Sequence, residues 1–120
     1  MNILLVEDRE EVSCITVEYL RELGHDVVDV AEAEKAIVQL RCTSFDAVMT
    51  DIRLPGMSGI ELARALAKEY PSIPVIIASG YGALDVEFLK LPTVLMLPKP
   101  YDLPALESTL REAAAIAQHA

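Results

Sequence analysis

Basic residues are scarce in this chain. Ten Lys and Arg stand against 19 Asp and Glu, a net charge of −9, which argues against a nucleic-acid binder because affinity for the phosphate backbone comes from clustered cations. No apolar stretch reaches the roughly 18 residues that a bilayer span requires. Met1 leads straight into a hydrophobic run with no basic region ahead of it, so neither a membrane anchor nor a secretory signal is expected. Only two cysteines occur, Cys14 and Cys42, without C-x-x-C spacing. They read as buried apolar residues of a reducing compartment, which fits a cytoplasmic location. Neither G-x-G-x-x-G nor a P-loop is present, and the turn after the first hydrophobic run is acidic, a poor cradle for a nucleotide or flavin phosphate. There are no repeats, low-complexity tracts or linkers, and no helix-turn-helix follows the last apolar stretch. Residues 1–120 are therefore expected to form one domain, with neither nucleic acid nor membrane as its partner.

What is abundant is apolar: 52% of residues are hydrophobic, enough to cover strands on both faces. Short β-rich runs occur at 2–6, 27–30, 46–50, 74–78 and 94–97, each followed by helical spacing. Residues 9–23 align Val12, Ile15, Tyr19 and Leu23; 33–41 align Ala33, Ala36, Ile37 and Leu40. Residues 59–69 align Ile60, Ala63 and Leu66, and 103–118 align Leu103, Leu106, Leu110 and Ala113. Asp8…Glu11 and Ser58…Glu61 have capping-box spacing, and Gly24 stands where a C-cap glycine would. The alternation predicts an α/β fold with a five-stranded parallel sheet and helices on both faces. The segment between Gly80 and Pro92 is sparse in apolar residues and closed early by proline, so a shortened or mobile fourth helix is expected there.

Carboxylates gather at the predicted strand ends. Glu7 and Asp8 follow the first run, Asp51 the third, and Lys99 the last. In an open α/β sheet the carboxyl ends of strands form the ligand crevice. Two carboxylates ~5 Å apart at an effective dielectric of about 20 repel by roughly 3 kcal/mol, so three need protonation, a cation or a lysine. Lys99 supplies one positive charge; an oxygen-only, solvent-open set suits Mg²⁺. Each residue also has a plainer role available. Asp8 could be an N-cap, Glu7 a solvated strand end, Asp51 an Asx turn before Pro55-Gly56, and Ser79 and Lys99 turn residues.

The full set resembles the receiver domains of two-component response regulators. The matching residues are Glu7-Asp8, Asp51, the run Pro55-Gly56-Met57-Ser58-Gly59, Ser79, and Lys99-Pro100. The run Ile77-Ala-Ser-Gly-Tyr81 looks like receivers attached to, or partnered with, hybrid sensor histidine kinases. The resemblance implies a flavodoxin-like, doubly wound (βα)5 fold and an aspartyl-phosphate switch. Asp51 would accept a phosphoryl group from a histidine kinase or histidine phosphotransfer protein. Glu7, Asp8, Asp51 and the backbone carbonyl of Arg53 would hold Mg²⁺. Lys99 and the Ser79 hydroxyl would meet the phosphoryl oxygens, with Gly80 leaving room for them, while Arg53 and Tyr81 would tune water access. A downstream protein target would read the switched state, and the chain would be a phosphoacceptor rather than a turnover enzyme.

Three positions depart from the family pattern. Met96 stands where an aromatic is usual, which puts the coupling between Ser79 and that aromatic in question. The segment expected to form the fourth helix is short. Tyr101 replaces a frequent Phe, and its ring is expected to be structural with a wet hydroxyl. Two alternatives stay open on this sequence: an unphosphorylated scaffold-type pseudo-receiver, and a small Mg²⁺-dependent phosphatase. The second lacks the Asp such phosphatases carry two residues after the nucleophile, a position held here by Arg53.

Overall fold

The computed structural model describes residues 1–80 and 93–118. In chain order the elements are β1 (Asn2–Val6), α1 (Glu10–Glu22), β2 (Asp26–Val30), α2 (Ala33–Cys42), β3 (Ala47–Asp51), α3 (Gly59–Glu69), β4 (Val75–Ser79), β5 (Val94–Pro98) and α4 (Leu103–Gln118). The strands form one sheet in the order β2-β1-β3-β4-β5, every pair parallel. Each predicted run falls within one residue of its strand. The fourth helix expected between Gly80 and Pro92 lies outside the described residues.

Side chains alternate across the strands, so the sheet divides the interior into two halves. Leu4, Val6, Val48, Val75 and Ile77 face α2 and α3, where they meet Ala36, Leu40, Leu62 and Leu66. Ile3, Leu5, Met49, Ile76 and Leu97 face the opposite way, against Leu20 of α1 and Leu106, Leu110 and Ala113 of α4. Covering both faces explains the high apolar content and the near-continuous hydrophobic strands.

Helix ends follow local chemistry in two of the three places expected. The Ser58 hydroxyl accepts from the Glu61 N–H at 3.1 Å, capping α3. Gly24, at φ 90°, closes α1 by donating its N–H to the Arg21 carbonyl at 2.9 Å. The Asp8…Glu11 capping box does not form. The helix begins one residue later, with Arg9 at the N-cap and no side-chain cap; Glu10 and Glu11 in its first turn meet the helix dipole instead.

Three further expectations are corrected. Ile15 is 52% exposed, and α1 buries Ser13, Thr16 and Leu20. Those hydroxyls are satisfied: Ser13 Oγ donates to Asp29 Oδ2 at 3.2 Å, and Thr16 Oγ1 lies 2.9 Å from the Tyr101 hydroxyl. The Tyr101 hydroxyl is thus tied to α1 rather than wet. Cys14 and Cys42 are free and exposed, not buried, because Cys14 lies beside Ile15 on the outer side of α1 and Cys42 ends α2. Among the described residues no helix is long and apolar enough to cross a membrane.

Candidate functional site

Parallel strands put all their carboxyl ends on one edge, and the register brings the predicted residues there together. β1 ends at Val6, opposite Thr50, so Glu7 and Asp8 emerge beside Asp51, the last residue of β3. β5 ends at Pro98, opposite Ser79, so Lys99 emerges from the adjoining side. One oxygen from each of Glu7, Asp8 and Asp51 lies within 4.8 Å of the others. Lys99 Nζ is 3.4 Å from Asp51 Oδ1 and 3.8 Å from Glu7 Oε2. An open cavity of about 370 Å³ borders this cluster, lined by Asp8, Asp51, Arg53, Gly80 and Lys99 among others. Among the described residues, a Cβ built at Gly80 would meet nothing within 4 Å.

Several contacts hold Asp51 in place. Its Oδ1 accepts from the Ile52 N–H at 2.8 Å, and its backbone carbonyl accepts from the Thr50 hydroxyl at 2.9 Å. The N-terminus of α3 presses against the same backbone, since the Gly59 N–H donates to the Ile52 carbonyl at 2.8 Å. A Cβ at residue 59 would collide with the Asp51 carbonyl oxygen. The closing glycine of the run 55–59 is therefore a packing requirement.

The cluster carries unrelieved charge. Burial pushes the Glu7 carboxyl above its usual range, and the neighbouring Asp51 carboxylate adds to that. The Arg9 N–H, donating to Glu7 Oε1 at 3.1 Å, and the Lys99 ammonium pull the other way. Hard oxygen donors within 4.8 Å of one another fit a small divalent cation.

Arg9 is the residue that sequence reasoning misses. Its Nε lies 3.4 Å from Glu7 Oε1 and its Nη2 3.7 Å from Asp51 Oδ2, and both acids hold its guanidinium in the charged form. A lone Arg after two acids looks like a surface residue. The available signal was electrostatic: one lysine cannot balance three carboxylates. Of the other predicted residues, Met96 is part-buried on β5 opposite Ile77, and Arg53 lines the cavity. Ser79 ends β4; its side chain and the whole of Tyr81 lie outside the described residues.

A doubly wound parallel sheet with an acidic cluster and a lysine at its carboxyl edge places the chain in the flavodoxin-like class, with its site at the strand ends. Within it, the chain belongs to the response regulator receiver domain family, whose sequence model matches residues 3–111. It is 35% identical over 106 residues to the response regulator protein FleR of Pseudomonas aeruginosa, covering 87% of this chain and 22% of that protein. It is 34% identical over 117 residues to the aerobic respiration control sensor protein ArcB of Escherichia coli, covering 93% of this chain and 15% of ArcB. The chain thus spans less than a quarter of the length of either curated relative. A crystal structure of the signal receiver domain of an HD domain-containing protein from Pseudomonas fluorescens superposes with a TM-score of 0.90 at 25% identity, covering 99% of this chain and 98% of that one. The protein is therefore a two-component receiver domain, of a family that serves signalling as phosphoacceptors at an acidic, Mg²⁺-binding pocket. These likenesses favour the receiver over the scaffold, phosphatase and nucleotide-binding alternatives.

Proposed function

We propose that Asp51 is the phosphoacceptor of a phosphorelay, taking its phosphoryl group from a phosphohistidine on a histidine kinase or phosphotransfer protein. The observation that carries this reading is that Asp51 lines an open cavity with the Lys99 ammonium 3.4 Å from its carboxylate and 3.8 Å from that of Glu7. In the transfer, an Asp51 carboxylate oxygen bonds to phosphorus as the phosphorus–nitrogen bond breaks, and the imidazole departs with its electron pair and is protonated. Such a transition state asks for positioning and charge neutralisation rather than covalent help. The Ile52 N–H holds one carboxylate oxygen and so presents the other. Lys99, 3.4 Å from Asp51, meets a transferred oxygen, and the Ser79 hydroxyl donates to another. Glu7, Asp8, Asp51 and the Arg53 carbonyl would hold Mg²⁺, which when bound offsets charge on the phosphoryl oxygens.

Arg53 and Tyr81 set water access, hence the lifetime of the acyl phosphate. The switched surface is read by a downstream protein in the cytoplasm, without nucleic acid or membrane as a partner, and the chain itself turns over no external substrate. The experiment is intact mass after incubation with Mg²⁺ and phosphoramidate or acetyl phosphate. One added phosphoryl group in the wild type and none in Asp51→Asn supports the reading. No adduct from either donor, with metal bound normally, means an unphosphorylated scaffold instead.

A further inference from the structure

Lys99 and Arg9 divide the oxygens of Glu7 and Asp51 between them. Lys99 takes Glu7 Oε2 and Asp51 Oδ1, while Arg9 takes the remaining oxygen of each, Glu7 Oε1 and Asp51 Oδ2. Their exposures differ. The Lys99 side chain is 21% exposed and anchored at the end of β5, whereas the Arg9 side chain is 55% exposed over acids that are 5% and 12% exposed. Arg9 is also the N-cap of α1 without a side-chain cap bond, so nothing in the helix start depends on where its guanidinium lies. One cation is built into the wall; the other is a long flexible arm laid across the opening.

We propose that Arg9 is a tethered counter-ion that yields to the metal: cation binding at Glu7, Asp8 and Asp51 is an exchange in which the guanidinium leaves both carboxylates. This rests on the metal-binding reading given above.

Geometry favours an exchange over simple addition, because the oxygens Arg9 holds belong to two of the three residues whose ligand atoms gather within 4.8 Å. A guanidinium across Glu7 and Asp51 and a small cation between the same carboxylates compete for lone pairs and for space. The arm thus lowers metal affinity while shielding the acids from each other when metal is absent. Arg9 is a positioning residue that acts through Glu7 and Asp51, and its effect belongs to metal binding before any transfer.

The test is calorimetric titration of the full chain with Mg²⁺ in low-salt buffer, for wild type, Arg9→Ala and Arg9→Gln, with folding of each variant verified by circular dichroism. Both variants should bind Mg²⁺ about two- to fivefold more tightly, the range expected when one partly exposed competing cation is removed. In the wild type, the Arg9 Nε–H resonance should shift toward that of a solvated arginine as Mg²⁺ is added. Unchanged or weaker Mg²⁺ affinity in both variants, with wild-type binding intact, overturns the proposal and makes Arg9 a passive neighbour or a support for the site. An Arg9 resonance that does not respond to saturating Mg²⁺ overturns it as well. If neither wild type nor variants bind Mg²⁺, the metal site itself falls and the exchange with it.

Discussion

Residue 59 shows how closely the backbone of the site is packed. A side chain there would run into the Asp51 carbonyl and come within 3.0 Å of the Ile52 Cα, both backbone atoms that cannot turn aside. Gly59→Ala should therefore cost about 2–3 kcal/mol, as overpacking of a rigid contact does, read as a lower urea midpoint with an unchanged slope. It should also slow acquisition of the phosphoryl group, because the displaced backbone is that of Asp51. Tyr101 makes a different kind of contact: its hydroxyl bridges to Thr16, which is almost wholly buried. Tyr101→Phe leaves that threonine without its partner and should cost about 1 kcal/mol. Burial also raises the Tyr101 phenol above its ordinary 10.0. Because the folded state keeps that proton, the contribution is fully present below pH 10.0 and is lost as the pH rises through the raised folded value. The phenylalanine variant should show a shallower alkaline loss of stability, measured by unfolding across that range.

At the scale of elements, strands are legible because two-sided burial writes them as unbroken apolar runs, and turns interrupt them. Helix faces are legible where alanine and leucine carry the contact, as in α2 and α4. They are less so in α1, where Ser13 and Thr16 go inward because Asp29 and Tyr101 satisfy their hydroxyls. A reading that follows apolarity then assigns the inner position to Ile15. The cap of α3 is legible because Ser58 and Glu61 stand at the right spacing with the helix beginning between them. Asp8 has the same spacing to Glu11, yet it lies one residue before the N-cap, among the acids of the site. The acids and Lys99 could be read from strand ends alone, since parallel topology fixes which edge they share. Arg9 could not, because its role comes from a side-chain direction, and spacing along the chain carries no such information.

For the molecule as a whole, a net charge of −9 with three of its acids crowded at one rim means that folding without a divalent ion works against local repulsion. An ion that binds only the folded state stabilises it by mass action. Mg²⁺ at about 100 times its Kd should add about 2.7 kcal/mol to unfolding, reversed by EDTA and reduced in Asp51→Asn, as followed by thermal unfolding. The division of the interior by the sheet has a consequence for how damage combines. Leu66 and Leu106 lie on opposite sides of the strands, so truncating both to alanine should lower stability by the plain total of the separate losses, within about 0.5 kcal/mol. Leu40 and Leu66 share one side, and their joint truncation should depart from that total. The domain would then tolerate genetic variation as two semi-independent compartments, each with its own epistasis.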